Sequence, residues 1–247
     1  MKYFAKIKYL GTNFHGFQVQ PNKRTVQGEL CIALKSALGV DVRVTGVSRT
    51  DAGVHANEFC ITVDAEGSTV PAERLPLAVA RFLPNDLSLY YAEDCKEHFH
   101  PRYDVISKEY LYRIVNLPIY DPFEYGRAWF VPKPISDTAV LAMNRACEFL
   151  VGKHDFSAFM SEGSDVTDTV RTVFYCNVQK NGDLIEIKIC ADGFLYNMVR
   201  IVVGTLIDVA YNRISPEKIK DILSSKDRSL AGMTAPAEGL YLNKVTY

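Results

Sequence analysis

The order of hydrophobic periodicities in the first 92 residues restricts this chain to few folds. Residues 2–9 alternate apolar and charged side chains, which predicts a half-exposed strand. Apolar residues at helical spacing follow Thr25 and stop at Gly39, which predicts a helix. Next come strand patterns at 41–47 and 59–63, a helix at about 72–82 and a strand at 87–92. The order β-α-β-β-α-β is typical of a ferredoxin-like, or split βαβ, sheet with its helices on one face.

The remainder of the chain repeats this order less clearly. Its predicted elements are a strand at 108–115, a helix from Ser136 to about 151, a hairpin at 173–190 around Asn181-Gly182, an apolar helix at 194–210, a short helix after Ser215-Pro216 and a strand at 240–247. No linker separates the halves, and 247 residues can bury a substantial core. We therefore expect an α+β protein whose two ferredoxin-like lobes, residues 1–104 and 105–247, share an extended, mostly antiparallel sheet.

Composition narrows the class of protein and its partners. Hydrophobic residues make up 48% of the chain and charged residues 23%, which is ordinary for a soluble globular protein. The six cysteines are scattered without a CxxC pair, and no apolar leader opens the chain, so we expect a cytoplasmic protein with reduced thiols. Because the formal net charge is -1, an anionic partner such as a nucleic acid would need a local basic patch.

A glycine-flanked loop carries the first candidate catalytic group. Within residues 46–56, Arg49 and Asp51 are two residues apart, so an extended segment would place both side chains on one side. Gly46 and Gly53 permit backbone angles that other residues resist, and catalytic groups are commonly held on loops of a rigid scaffold. An Asx turn, in which Asp51 only bonds its own backbone, is an equally good interpretation of these residues alone.

The apolar helix predicted at 194–210 contains a charge in an unfavourable place. Arg200 has apolar residues on both sides, and a guanidinium that leaves water is costly unless a carboxylate pairs with it. We expect such a partner, with Asp51 as the first candidate; alternatively, the arginine stem crosses the core and its head stays in water. Asn197 and Asp208 make this segment too polar for a membrane span, so no membrane partner is expected.

Two segments combine aromatic and basic side chains, as many RNA-binding sites do. In residues 99–104 and 108–113, rings could stack on bases while Arg and Lys bind phosphates, although tyrosines on strands commonly serve packing. No phosphate-binding glycine loop is found. The spacing of the histidines disfavours a metal site; they include His55, His98, His100 and His154.

Six segments, in order along nearly the whole chain, resemble those of the tRNA pseudouridine synthase A family. Residues 46–56 resemble its active-site signature, in which the Asp of an Arg-Thr-Asp-Ala-Gly-Val-His run is catalytic. The other five segments are residues 9–20 with 25–27, 99–102 with 108–110, 152–156, 193–204 and 235–240. Departures are mild: Ser48 stands where the family often has Gly, and Phe17 where Trp is common.

The resemblance implies a reaction and the residues that perform it. Members of the family isomerise uridine to pseudouridine at positions 38 to 40 of the tRNA anticodon stem-loop, without a metal or organic cofactor. Asp51 would be the nucleophile, and Arg200 would pair with it. Tyr110 would stack beneath the target uracil, while Arg49 would help to extrude the nucleotide. The resemblance also implies the pseudouridine synthase fold, with a central RNA-binding cleft, and a homodimer whose tRNA contacts both subunits.

Several basic residues and two other functions stay open. The candidate phosphate contacts are Lys23, Arg24, Arg102, Lys108, Arg113, Lys153 and Arg171. Each is as readily an ordinary solvated surface charge. The other functions are an RNA-binding module that has lost catalysis and a metal-dependent hydrolase that uses Asp51 with the histidines.

Overall fold

A computed structural model describes residues 1–163 and 166–247 of the chain. These residues form two compact units, the first comprising Met1–Ile106 and Tyr241–Tyr247, the second comprising Ser107–Leu240. Both units combine helices with a mostly antiparallel sheet, so the predicted α+β class is confirmed. Tyr241–Tyr247 lie in the first unit, where Tyr241 and Leu242 pair with another strand of that unit.

The described residues contain ten strands and five α-helices. In chain order, the strands are β1 (Lys2–Tyr9), β2 (Arg43–Gly46), β3 (His55–Asp64), β4 (Leu87–Asp94), β5 (Ser107–Val115), β6 (Trp129–Phe130), β7 (Gly152–Asp155), β8 (Val170–Asn181), β9 (Leu184–Ala191) and β10 (Leu240–Thr246). The helices are α1 (Val26–Leu38), α2 (Leu75–Ala80), α3 (Asp137–Glu148), α4 (Met198–Ala210) and α5 (Lys218–Ser225).

The first unit has the strand order β4-β1-β3-β2, and these pairs are antiparallel. β3 therefore separates β1 from β2, although no other strand lies between those two in sequence. This is the split βαβ arrangement that the sequence predicts for the first 92 residues, and it is confirmed. β10 joins the start of β3, where Tyr241 and Leu242 pair in parallel with His55 and Ala56.

Helix α1 begins and ends where the sequence predicts. The Thr25 hydroxyl accepts a hydrogen bond from the Gly28 N–H at 3.3 Å, and Gly39 adopts the left-handed conformation after the last turn. The second predicted helix is shorter than expected, because a 3-10 turn at Ala72–Arg74 precedes α2. Pro76 lies in the first turn of α2, where its missing N–H leaves no helical bond unmade.

Helices cover one face of the sheet in the first unit. The side chains on one face of β1 are fully buried; they are Tyr3, Ala5 and Ile7. Apolar side chains of α1 and α2 are buried to the same degree, including Leu30, Leu34 and Leu75. Because side chains alternate between the faces of a strand, Lys6 and Lys8 lie on the opposite face, where Lys6 is half-buried and Lys8 exposed.

The second unit has the antiparallel strand order β5-β9-β8-β7, with β6 in parallel on the other edge of β5. The sequence predicts β5, β8 and β9 but neither β6 nor β7. β6 has only two residues, and β7 reads Gly-Lys-His-Asp, which shows no apolar alternation. The Asp155 carboxylate at the end of β7 accepts bonds from the Ser157 N–H at 3.0 Å and the Thr169 hydroxyl at 2.6 Å.

The turn between β8 and β9 is displaced by one residue from its predicted position. Asn181 pairs with Leu184, so the two turn residues are Gly182 and Asp183. Gly182 takes a positive φ of 59°, which glycine adopts without strain. The hairpin is therefore confirmed, but Asn181 belongs to the strand and not to the turn.

Helix α4 begins four residues later than predicted, at Met198. Asn197, which precedes it, has a positive φ of 61° and so cannot continue a right-handed helix. Gly204 is required in this helix, since a Cβ there would lie 1.9 Å from the Met233 carbonyl oxygen. Among the described residues, no helix is both long and apolar enough to cross a membrane.

Candidate active site

The predicted nucleophile Asp51 lies on the loop between β2 and β3. Its carbonyl oxygen accepts a hydrogen bond from the Val54 N–H at 3.2 Å, which closes a tight turn over Ala52 and Gly53. Gly53 has a φ of 82°, as the third residue of a type II turn requires. The prediction that a glycine shapes this loop is therefore confirmed at Gly53, and the turn that it closes is made by the main chain of Asp51.

Main-chain hydrogen bonds fix this loop to the segment that follows β1. The Phe17 N–H donates to the Thr50 carbonyl at 3.1 Å, and the Gly53 N–H donates to the Phe14 carbonyl at 3.3 Å. One bond lies before Asp51 in sequence and the other after it. The loop backbone is therefore held on both sides of the carboxylate by residues more than thirty positions away.

Two buried side chains add to this support. The Tyr9 and Thr50 hydroxyls are 2.9 Å apart, and Thr50 directly precedes Asp51 in the sequence. His55, fully buried, accepts the Gly11 N–H on Nδ1 at 2.9 Å and stacks on the Tyr241 ring at 4.4 Å. The sequence suggests His55 only as a weak metal candidate, and no local pattern indicates its role as a hydrogen-bond acceptor.

The side chains on the loop differ in exposure. Asp51 is half-buried, while Arg49, the predicted extruding residue, is exposed. The Ser48 Oγ is buried and has no hydrogen-bond partner in the described part of the chain. The loop thus presents an exposed guanidinium two residues from a partly shielded carboxylate.

In the second unit, Tyr110 is held by its strand and by one ring contact. It lies on β5 opposite Ile189 of β9 and is only 8% exposed. The Phe194 ring meets the Tyr110 ring edge to face, with centroids 5.0 Å apart. Both contacts restrict the orientation of the tyrosine ring.

Arg200 lies in the first turn of α4 and is half-buried. Its Nε donates to the Ala235 carbonyl at 2.7 Å, and the Ala235 N–H returns a bond to the Arg200 carbonyl at 3.1 Å. Its Nη1 donates to Asn197 Oδ1 at 2.8 Å. The guanidinium is therefore oriented by two acceptors of its own unit, while its pairing with Asp51 stays a prediction.

The predicted phosphate contacts fall into two groups. Lys23, Arg102 and Lys153 are exposed, and Lys108 is half-buried. Arg24 instead donates to both carboxylate oxygens of Asp86 at 2.8 Å and to Glu29 at 3.0 Å. These acceptors hold the pKa of Arg24 above its ordinary value.

Arg113 and Arg171 also have partners inside their own unit. Arg113 lies 3.6 Å from a Glu124 oxygen, and Arg171 donates to the carbonyls of Asp168 and Val170 at 2.9 and 2.6 Å. Within residues 1–163 and 166–247, no cluster of three or more His, Cys, Asp or Glu side chains could hold a metal ion.

Comparisons with known proteins give consistent results. A family model described as tRNA pseudouridine synthase matches residues 5–104 and 146–247. A tRNA pseudouridine synthase A of a Thermoanaerobacter species is 44% identical over 241 residues, covering 98% of this chain and 97% of the relative. A protein named tRNA pseudouridine synthase A 2, from Clostridium tetani, is 43% identical over 244 residues with the same coverage of each chain.

Likeness among solved structures is much weaker. A chain from the crystal structure of a Cbf5-Nop10-Gar1 complex aligns with 98% of this chain and 58% of its own length, at 13% identity and a TM-score of 0.36. That score is too low to bear on fold or function. The family match over most of the chain and the near full-length relatives decide the assignment: the chain belongs to the tRNA pseudouridine synthase family.

Proposed function

We propose that this protein isomerises uridine to pseudouridine in tRNA, at positions 38, 39 and 40 of the anticodon stem-loop. The two relatives described above are named as tRNA pseudouridine synthases, without the positions. The observation that carries the proposal is the Asp51 loop, whose backbone is bonded on both sides of the carboxylate to the segment after β1. A carboxylate carried on a fixed backbone suits nucleophilic catalysis, because misplacement of the attacking atom is costly.

Asp51 is the proposed nucleophile. The reaction breaks the N1–C1′ bond, rotates the uracil and forms a C5–C1′ bond; C5 then loses its proton and N1 gains one. An ionised carboxylate can begin this either by adding to C6 of the base or by capturing C1′ of the ribose. Both routes leave the same atoms in the product, so the proposal requires only that Asp51 forms the transient bond.

Arg200 and Tyr110 complete the proposed chemistry. A guanidinium beside Asp51 favours the ionised carboxylate, and Arg200 is already oriented by its bonds to Ala235 and Asn197. Tyr110, restrained by the Phe194 ring, offers a flat surface on which the target uracil stacks. Arg49 is exposed on the same loop as Asp51 and occupies the space that the flipped nucleotide leaves in the RNA.

The tRNA backbone meets a subset of the basic residues. We assign phosphate contacts to Lys23, Arg102, Lys108 and Lys153, and an internal structural role to Arg24, since Asp86 and Glu29 engage its guanidinium. The protein acts without metal or organic cofactor, in the cytoplasm, as a homodimer in which one tRNA contacts both subunits.

Turnover on a defined substrate tests the proposal. The full chain is incubated with an unmodified tRNA transcript that has uridines at positions 38 to 40, and pseudouridine is mapped by mass spectrometry. We expect conversion at these positions, at the same rate in excess chelator. Binding without conversion would support the RNA-binding module, and unchanged activity in excess chelator would exclude the metal-dependent hydrolase.

Binding to tRNA should weaken steeply with salt despite the net charge of -1. Four phosphate contacts predict a fall in affinity of about 50- to 150-fold between 50 and 200 mM salt, because each contact releases counterions. Lys153→Gln should make the plot of log affinity against log salt concentration less steep, by about the share of one phosphate contact. Lys35→Gln, which removes an exposed lysine ion-paired to Asp41 at 2.6 Å, is the matched control and should not change the slope. A flat salt profile would contradict the phosphate contacts.

A further inference from the structure

The uncovered face of the sheet in the first unit bears a groove that the proposed reaction does not use. It is a cavity of about 810 Å³, a size common among ligand sites, and its walls combine aromatic with charged side chains. We call it the open-face groove; its lining includes Phe4, Tyr90, Tyr91, Phe99, Lys96 and Lys244. Lys8, on the same face of β1, lies beside it with its Nζ 4.4 Å from the Tyr90 ring centroid.

A β-bulge makes two tyrosine rings of this groove available. Lys6 of β1 pairs with Tyr91 of β4, but the next residue, Ile7, pairs with Leu89, so Tyr90 is the extra residue of the bulge. A bulge re-aims side chains that would otherwise alternate between faces. Tyr90 and Tyr91 are accordingly both solvent-accessible, at 39% and 41% exposed, although they are adjacent in one strand.

The wall behind these rings is preformed. The Phe4 ring packs edge to face against the rings of Phe99 and Tyr247, with centroids 5.5 and 5.6 Å apart. The Tyr247 hydroxyl donates to the Pro101 carbonyl at 2.9 Å, which fixes that ring. A ligand therefore meets a rigid aromatic surface and pays little to order it.

Lysines outnumber carboxylates at the groove by one, four to three, when Lys8 beside it is included. Glu58 is neutralised by Lys6 at 2.9 Å, and Glu93 accepts the Tyr91 hydroxyl at 2.6 Å, while Asp94 is exposed. Among the described residues, three lysines at the groove form no ion pair with a carboxylate; they are Lys8, Lys96 and Lys244. Solvent-accessible rings beside unpaired ammonium groups are the combination by which proteins hold single-stranded nucleic acid.

We propose that the open-face groove binds a single-stranded segment of the tRNA outside the target stem-loop. Bases stack on Tyr90 and Tyr91, and the adjoining phosphates meet Lys8, Lys96 and Lys244. This inference rests on the proposed function for the identity of the RNA, but the groove's own binding needs no catalysis. A four-stranded βαββαβ sheet that stacks bases on aromatic side chains of its uncovered face is an established way to bind RNA.

Binding measurements with two RNAs test the groove. The double variant Tyr90→Leu with Tyr91→Leu keeps apolar side chains but removes both rings. We expect it to bind a fluorescently labelled oligouridine, and full-length tRNA, about tenfold or more weakly than the unchanged protein by fluorescence anisotropy. Turnover of a saturating anticodon stem-loop, which lacks the extra segment, should be unchanged.

Controls separate the groove from the fold and from the proposed function. Tyr125→Leu, which removes a 71% exposed tyrosine of the second unit, should leave oligouridine affinity unchanged, and the melting temperature of the double variant should match that of the unchanged protein. Equal affinities of double variant and unchanged protein for both RNAs would overturn the groove proposal. The proposal would also be overturned if the double variant sedimented differently from the unchanged protein but bound RNA equally well, because a second copy of the chain would then occupy this face. If the unchanged protein binds oligouridine through these rings but converts no uridine, the proposed function fails while the groove stands.

Discussion

Replacement of Asp51 by alanine should abolish pseudouridine formation, lowering turnover by about 10⁴-fold or more, while tRNA binding stays largely intact. In the proposed reaction this carboxylate bonds the substrate, and no other acidic residue lies on the loop between β2 and β3. The loop backbone is held by bonds from Phe17 and to Phe14, which do not involve the Asp51 side chain, so the variant should keep its fold. Pseudouridine mapping by mass spectrometry measures the loss, and filter binding measures the affinity.

The size of this effect distinguishes chemistry from structure. Asp51→Asn keeps the shape of the side chain but cannot attack, so it should be as inactive as the alanine variant. Asp41→Asn is the matched control, because Asp41 is an exposed carboxylate of the same unit whose partner is Lys35; its activity should be normal. Residual activity above one per cent in both Asp51 variants would remove this residue from the role of nucleophile.

Much of the fold follows from local pattern. The alternation in β1, the Thr25 cap and the Gly39 stop identify elements whose hydrogen bonds and burial are decided by neighbouring residues. The strand order of the first unit then follows, since a β-α-β-β-α-β chain has few ways to bury one face of its sheet. The hairpin of β8 and β9 also follows from local pattern. Its turn lies one residue from the predicted position, because Asn-Gly does not by itself fix the register.

Tertiary contacts decide what local pattern does not. β7 is a strand because it pairs with Val170–Val173 of β8, and nothing in Gly-Lys-His-Asp signals this. Helix α4 starts late because Asn197 takes a positive φ, where its side chain reaches both Ser161 and Arg200. Such positions are set by partners far away in sequence, which periodicity does not register.

The candidate site shows the same division. Two flanking glycines and the adjacent charges mark the Asp51 loop as a candidate catalytic loop in the sequence. Arg200 stands out as a candidate because it is a charged residue within an apolar helical pattern. The supports of the loop could not be foreseen from its own residues, because the Tyr9 hydroxyl and the Gly11 N–H come from β1 and the turn after it. The only signal for them was the resemblance of residues 9–20 to a family segment, and resemblance, not periodicity, also named the reaction.

Replacement of Arg200 by methionine should lower turnover by about 10² to 10³-fold at neutral pH, the second largest effect that we expect. Methionine matches the arginine stem in apolar bulk but removes the charge that keeps Asp51 ionised and oriented in the proposed reaction. The loss should fall on turnover and leave the affinity for tRNA largely unchanged, because the charge acts on the attacking carboxylate in the proposed reaction. Arg200→Lys should recover only part of the activity, because a lysine cannot donate to Ala235 and Asn197 from one planar group.

A purely structural Arg200 predicts something different. Its bonds to Ala235 also fasten the segment after Gly232 to α4, so its removal will lower the melting temperature to some degree. A structural role would reduce activity only in proportion to the unfolded fraction, whereas a role beside Asp51 leaves a loss of turnover in fully folded protein. Arg213→Met is the matched control, since Arg213 follows α4 and pairs with Asp208 at 2.7 Å on the surface; it should be fully active. Turnover rates and tRNA affinities measured below the melting temperature of each variant therefore decide whether Arg200 acts on the reaction or only on the segment that it holds.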